Sequence, residues 1–166
     1  QFKERIKAGF SLASELSPIF REYERLCVTA FDAYIRPIVD TYVKQLEGSL
    51  EKMGIEGNTF IIQSSGGLAT ARAAAEKPVN MILSGPAGGV MGGKFAGELA
   101  NFKNLITVDM GGTSFDVALV RESNPIISRE GKVCGYPLRV PMVEVNTIGA
   151  GGGSIAWLDA GGGLHV

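Results

Sequence analysis

Apolar positions along the chain recur with two spacings, which predict helices near the start and strands further on. Side chains three or four residues apart share one predicted helix face, at Val39, Tyr42, Leu46, Leu50 and Met53. Pro37 either starts this helix or kinks it away from a preceding helix over residues 22–35. Over residues 106–120 apolar side chains instead alternate with other residues, which is the spacing of a half-buried strand.

Several shorter elements follow from the same patterns. Two helices are predicted, an alanine-rich one over 69–76 and one from Ser84-Gly85-Pro86 to about residue 100, with proline near its first position. Strands are predicted at 60–63, 79–83, 126–127, 133–136, 138–145 and 154–158, with Pro137 and Pro141 favouring sheet edges. Helices and strands interleave, so the predicted class is α/β.

The stretch over residues 106–120 carries the clearest candidate chemistry. Asp109 closes the first strand, and Gly111 and Gly112 expose backbone N–H groups where a phosphate needs to approach without meeting a Cβ. Thr113 adds a hydroxyl, and a carboxylate near a triphosphate suits hydrated Mg²⁺. The alternative is an ordinary hairpin in which the glycines only form the turn; the flanking strands and a second acidic residue, Asp116, favour the phosphate site.

A glycine-rich helix precedes this hairpin. Gly88 and Gly92 are four residues apart, and so are Gly89 and Gly93. Each glycine destabilises a helix by about 1 kcal/mol relative to alanine. Close packing of another backbone on this face would offset that loss, and either a hinge between two halves of an enzyme or a static helix pair would provide it.

A second glycine run, Gly149 to Gly153 followed by Ser154, lacks the G-x-G-x-x-G spacing of dinucleotide-binding loops. The residues after it are typical of a strand rather than the helix that such a loop needs. Two interpretations of this run are equally compatible with the sequence: a flexible connection between strands, and a loop that binds a ligand.

Composition excludes several classes of function. The chain has 166 residues and a net charge of −1, so no basic surface indicates nucleic acid. No signal-peptide pattern is recognised and no run of about 18 apolar residues occurs, so we expect a cytoplasmic protein with no membrane span. Cys27 and Cys134 are predicted to be free buried thiols, with a disulfide between them as the less favoured alternative. His165 is predicted to be a lone surface residue and Trp157 a core residue.

The order of these motifs resembles the actin-like ATPases, which include heat-shock chaperones, actin and sugar kinases. In those proteins a connecting helix that opens with proline and small residues precedes a phosphate hairpin of the form Asp-x-Gly-Gly-Gly-Thr. The chain is more closely similar to the hydantoinase A/5-oxoprolinase family over residues 17–166. The motifs that carry this resemblance are Arg21-Glu-Tyr-Glu-Arg25, Gln63-Ser-Ser-Gly-Gly67, Ser84-Gly-Pro-Ala-Gly-Gly89, Val108-Asp-Met-Gly-Gly-Thr-Ser114 and Thr147-Ile-Gly-Ala-Gly-Gly-Gly-Ser-Ile-Ala156.

The resemblance implies part of an actin-like (ribonuclease H-like) fold, with helices and a mixed sheet that carries the phosphate hairpin. It divides the chain into a helical and α/β segment of the first half (1–83), a connecting helix (84–104) and the start of the second subdomain (105–166). Gln1 is not an initiator residue, and the last four residues are typical of a strand beginning, so we expect a fragment of a longer protein.

The resemblance also implies an ATP-dependent hydrolase of cyclic amides, of the N-methylhydantoinase or 5-oxoprolinase type. Asp109 would hold the water shell of Mg²⁺ or orient the attacking group. Residues of the hairpin and the glycine loop would bind ATP, namely Gly111, Gly112, Thr113, Ser114, Gly149, Gly151, Gly152 and Gly153. The expected partners are a cyclic amide or ketone substrate and a hydantoinase B-like subunit or fused domain.

Other functions stay open at this point. They are an ATP-binding subunit of an acetone-type carboxylase, a chaperone-type nucleotide switch and a non-catalytic assembly subunit. Asn146 stands where many hydantoinase-like members have His and oxoprolinase-like members can have Asn, so the substrate subgroup is open too. Actin-like ATPases use two phosphate hairpins and only one is recognisable here, so we expect little or no ATPase activity from this chain alone.

Overall fold

The structure is a computed structural model that describes residues 10–166. The chain forms two compact units. The first extends to Gly85 and also includes Ile127–Met142, and the second consists of Pro86–Ile126 and Val143–Val166. Strands and helices occur in both units, which confirms the predicted α/β class.

The first unit is built around one long helix. The elements of this unit are α1 (Ala13–Leu16), α2 (Glu22–Lys52), β1 (Phe60–Ile62), β2 (Leu68–Thr70), α3 (Ala71–Glu76), a 3₁₀ helix (Pro78–Met81), β6 (Ile127–Ser128), β7 (Gly131–Val133) and β8 (Tyr136–Leu138). The long helix α2 contacts α1, α3, the 3₁₀ helix and β8. A cluster of buried side chains fills the space between them, formed by Val28, Val79, Leu138, Val140 and Met142.

Three local predictions in this unit are wrong. The prediction that a helix starts at Pro37 is wrong, because α2 begins at Glu22 and continues unbroken through Pro37. The predicted strand at 79–83 is instead the 3₁₀ helix, which Pro78 opens. The predicted strand at 133–136 is a hairpin turn with positive φ at Cys134 (50°) and Gly135 (83°).

Both cysteines are free, as predicted. Cys27 is buried, but Cys134 is exposed because it occupies that turn, so its predicted burial is wrong.

The second unit is an antiparallel sheet with helix α4 (Ser84–Leu99) packed on one face. Its strands are β3 (Leu105–Met110), β4 (Phe115–Arg121), β5 (Asn124–Pro125) and β10 (Val145–Ile148), with β4 between β3 and β10 and β5 on the end of β4. Every pair of neighbours in this sheet runs antiparallel, so the mixed sheet predicted from the family resemblance does not form from these strands. Strand β9 (Met142–Val143) leads into β10.

The glycines of helix α4 make room for strand β3. A Cβ added at Gly97 would lie 2.4 Å from the Leu105 side chain, one at Gly93 would lie 2.5 Å from Thr107, and one at Gly89 would lie 3.7 Å from Asp109 Oδ2. Four residues of helix rise about 6 Å, close to the length of two strand residues. One row of glycines therefore faces successive inward side chains of β3, and the packing partner is a strand rather than a second helix.

Neighbouring glycines of α4 should respond differently to alanine. Gly92→Ala is expected to stabilise the helix by about 1 kcal/mol, because an added Cβ there meets nothing within 4 Å. Gly93→Ala is expected to destabilise it by about 1–3 kcal/mol, because the new methyl overlaps the stiff, β-branched side chain of Thr107. Hydrogen exchange of residues 84–99 measures both, and equal effects of the two variants would contradict the close packing of α4 on β3.

The chain closes with a small hairpin of β11 (Trp157–Leu158) and β12 (Leu164–His165). Trp157 is 54% exposed and stacks on His165 with ring centroids 4.5 Å apart, so its predicted place in the core is wrong. His165 is exposed, as predicted, but it is not alone, because its Nε2 lies 2.8 Å from Asp159 Oδ2. That contact, with N–H groups donated by Gly163 and Gly161, holds the pKa of Asp159 below its usual range.

No helix within residues 10–166 is both long enough and apolar enough to cross a lipid bilayer.

Candidate functional site

The predicted hairpin is present and its tip is a four-residue turn. Strands β3 and β4 pair from Leu105↔Val120 to Met110↔Phe115, which leaves residues 111–114 as the connection. The turn is closed by the Gly111 N–H, which donates to the Ser114 carbonyl at 3.1 Å. A Cβ added at Gly111 or Gly112 would meet nothing within 4 Å, so this backbone is open on the side toward which a Cβ would point.

Two carboxylates lie side by side just before the tip. Asp109 and Asp116 are directly paired across β3 and β4, and both lie on the sheet face that α4 covers. Thr147 is paired with Asp116 on the next strand, and its Oγ1 donates to Asp116 Oδ1 at 2.5 Å. The lack of a side chain at Gly89 leaves space for the Asp109 carboxylate.

A cavity of about 260 Å³ lies between the first turns of α4 and these strands. Helix α4 presents its N-terminal half here, where the helix dipole favours negative charge. The cavity is lined by Pro86, Gly89, Val90, Thr107, Val108, Asp109, Asp116, Ala118 and Val145. It is therefore a recess with both polar and apolar walls, in which two carboxylates stand near the turn of the hairpin.

The residues present fit a hydrated magnesium ion better than a metal held by protein alone. Within residues 10–166, no group of three or more His, Cys, Asp and Glu side chains could hold a metal. Mg²⁺ usually keeps several waters and takes one or two carboxylates together with substrate phosphates. Asp109 and Asp116, next to an open glycine turn, supply that number of carboxylates.

The second glycine run lies directly against the hairpin tip. Strand β10 ends at Ile148, which is paired with Phe115, so the chain leaves the sheet beside residues 111–114. Gly152 N–H donates to the Gly111 carbonyl at 2.9 Å, and Gly153 N–H donates to the Gly112 carbonyl at 3.0 Å. The structure thus brings together the two groups of candidate residues that the sequence analysis named separately.

Some features of this site lacked a sequence signal strong enough to assign them. Thr147 lies within a motif of the family resemblance, but its hydrogen bond to Asp116 depends on the pairing of β10 with β4. Asn146 is paired with Val117, so strand alternation places it on the sheet face opposite Asp109 and Asp116. A residue at that position is therefore separated from the carboxylates by the sheet.

The chain is similar to known proteins across this whole region. Residues 25–166 match the family model described as hydantoinase/oxoprolinase. The chain belongs to the hydantoinase/oxoprolinase family. This match includes the hairpin, helix α4 and the glycine loop.

Individual relatives agree with this assignment. The chain is 41% identical to the caprolactamase subunit alpha of Pseudomonas jessenii, with 92% of this chain and 22% of the relative covered. It is similar to the crystal structure of the ATP-dependent caprolactamase from Pseudomonas jessenii, with a TM-score of 0.79, 35% identity, and 96% of this chain and 23% of that chain covered. It is also similar to the nucleotide-free structure of acetone carboxylase, an enzyme of ATP-dependent acetone carboxylation. The TM-score is 0.75 at 28% identity, with 92% of this chain and 21% of that chain covered.

The chain spans about a quarter or less of the length of the curated relatives that it matches. Relatives described as subunits include both a lactamase subunit and carboxylase subunits. Membership of the family is therefore established for this segment, and the reaction of the whole protein is a separate question.

Proposed function

We propose that the protein containing this chain is an ATP-dependent hydrolase of cyclic amides, and that this segment is part of an actin-like fold carrying one phosphate-binding hairpin. The observation that carries the proposal is the pairing of Asp109 with Asp116 directly behind an open Gly111-Gly112 turn. Carboxylates for a hydrated cation and backbone N–H groups for phosphate, here those of Gly112 and Thr113, are the two elements that such a site needs. The similarity to an ATP-dependent caprolactamase supports the same chemistry.

Each residue has a definite task in this proposal. The N–H groups of Gly112 and Thr113 and the hydroxyls of Thr113 and Ser114 bind phosphate oxygens, and Asp109 holds the water shell of Mg²⁺. Bound ATP supplies the phosphoryl group that activates an otherwise stable amide. Thr147 fixes the rotamer of Asp116 through its hydrogen bond, so that the second carboxylate stays beside the first. The chain contributes mainly positioning and electrostatic stabilisation, which is how proteins catalyse phosphoryl transfer.

A carboxylase subunit is the second candidate. The similarity to the acetone carboxylase structure favours this candidate. We prefer the amide hydrolase because the chain is 41% identical to the caprolactamase subunit and only 30% identical to the acetone carboxylase beta subunit. Either activity would involve a further subunit or fused domain of the hydantoinase B type, since relatives are themselves described as subunits. We propose that the protein works in the cytoplasm with ATP and Mg²⁺.

The test is a substrate screen with the full-length protein and its partner subunit. ADP release is measured with and without 5-oxoproline, hydantoins, lactams such as caprolactam, and acetone with bicarbonate. ADP release that depends on a cyclic amide is the expected result. Stimulation only by ketone and bicarbonate would replace the hydrolase with the carboxylase, and the lack of any ATP-dependent turnover would contradict both.

A further inference from the structure

We propose that the glycine loop Gly149–Gly153 positions the tip of the phosphate hairpin, with Gly151 as the main positioning residue rather than a ligand of the nucleotide. This inference rests on the proposed function, because the hairpin is taken to be the phosphate-binding element. The carrying observation is a contact of backbone on backbone between the loop and residues 111–113.

The two hydrogen bonds between loop and tip orient the peptides of the tip. The carbonyls of Gly111 and Gly112 accept from Gly152 and Gly153, so both carbonyls point toward the loop. In a trans peptide the C=O and the following N–H point in opposite directions. The N–H groups of Gly112 and Thr113 are therefore directed away from the loop donors, as they need to be to receive an anion from the other side.

Gly151 lies where no side chain fits. A Cβ added there would be 2.7 Å from both the Gly111 carbonyl oxygen and the Thr113 nitrogen, and 2.8 Å from the Gly112 carbonyl carbon. All three atoms belong to the backbone, so they cannot rotate away as a side-chain end could. Reaching an ordinary contact of 3.4 Å requires the loop and the tip to separate by about 0.7 Å, since 3.4 − 2.7 = 0.7.

The loop is itself held in one conformation around Gly151. Gly151 N–H donates to Ser154 Oγ at 3.0 Å, and Ser154 N–H donates back to the Gly151 carbonyl at 2.9 Å. Both backbone groups of Gly151 are therefore used within the loop. This closed turn explains how a run of glycines can fix another segment rather than move freely beside it.

Alanine substitutions within the loop distinguish positioning from direct binding. Gly151→Ala in the full-length protein should lower kcat/KM for ATP at least about tenfold, because a displacement of 1 Å at a reacting centre can cost about 10²-fold. KM for the organic substrate should stay unchanged. Gly149→Ala, whose added Cβ meets nothing within 4 Å, and Gly152→Ala, which meets only Gly111 O at 3.6 Å, should have much smaller effects. Equal losses in all three variants would overturn the inference in favour of direct contact with the ligand.

A readout that does not need ATP separates this inference from the proposed function. Hydrogen exchange over residues 109–115 should be faster in Gly151→Ala than in the wild-type protein. The control is Gly48→Ala in helix α2, where an added Cβ meets nothing within 4 Å, and exchange over residues 109–115 should keep the wild-type rate in that variant. Unchanged exchange at the tip would overturn the positioning role even in an active enzyme. Faster exchange in a protein that never hydrolyses ATP would instead refute the proposed function and leave the contact between loop and tip established.

Discussion

Asp109→Asn is expected to lower kcat of ATP-dependent turnover by about 10²–10³-fold in the full-length protein with its partner. Removal of one group that stabilises developing charge in a closed site has effects of this size. Asparagine keeps the shape of the side chain and the space beside Gly89, but it carries no charge for a hydrated cation. The Mg²⁺ concentration that gives half the maximal rate should rise as well. Steady-state kinetics at varied ATP and Mg²⁺ measures both effects.

The matched control for this variant is Glu144→Gln, an equivalent loss of charge at an exposed residue of the same unit that does not line the cavity. It should leave kcat unchanged. Wild-type kcat in Asp109→Asn with normal assembly of the complex would mean that the hairpin is structural, and it would favour a non-catalytic assembly subunit. Loss of assembly in Asp109→Asn would also contradict the catalytic role, because the carboxylate would then act on folding or docking.

Local signals were sufficient to predict the hairpin and the helix before it. Strand alternation on both sides of Gly111-Gly112 and the Ser84-Gly85-Pro86 opening each act within a few residues, and the observed β3, β4 and α4 agree with them. The spacing of the glycines also indicates that they share one helix face, because Gly89, Gly93 and Gly97 follow each other at intervals of four residues. The sequence did not reveal which surface the row would meet, because that depends on a strand folding back.

The features missed in the sequence all depend on contacts between distant residues. Pairing of β10 with β4 creates both the Thr147–Asp116 hydrogen bond and the placement of Gly151 against the tip, and no signal near either residue indicates the register. The 3₁₀ helix at Pro78–Met81 was predicted as a strand because its apolar residues fit that pattern. A buried carboxylate on another element, Asp32, accepts the Val79 N–H there and stabilises the turn.

Asp32→Ala is expected to destabilise the first unit by about 3–5 kcal/mol, which is the usual effect of removing one partner of a buried ion pair. Asp32 has no exposed surface, and it forms an ion pair with Arg36 one helical turn away. It also accepts the Ser11 hydroxyl at 2.5 Å and the Val79 N–H at 3.2 Å. The substitution would therefore remove the carboxylate partner of the Arg36 guanidinium and the acceptor of the Val79 N–H in a poorly hydrated place.

The effect should extend beyond helix α2, because Arg36 also donates to the carbonyls of Ala75 and Glu76 at the end of α3, at 3.4 and 3.1 Å. Hydrogen exchange over residues 71–81 should consequently show the loss as clearly as exchange within α2 does. Glu47→Ala, at an exposed carboxylate on the same helix, should change the opening free energy by less than about 0.5 kcal/mol. If Asp32→Ala and Arg36→Ala were both mild and additive, the pair would not couple these helices, since residues in one network deviate from additivity.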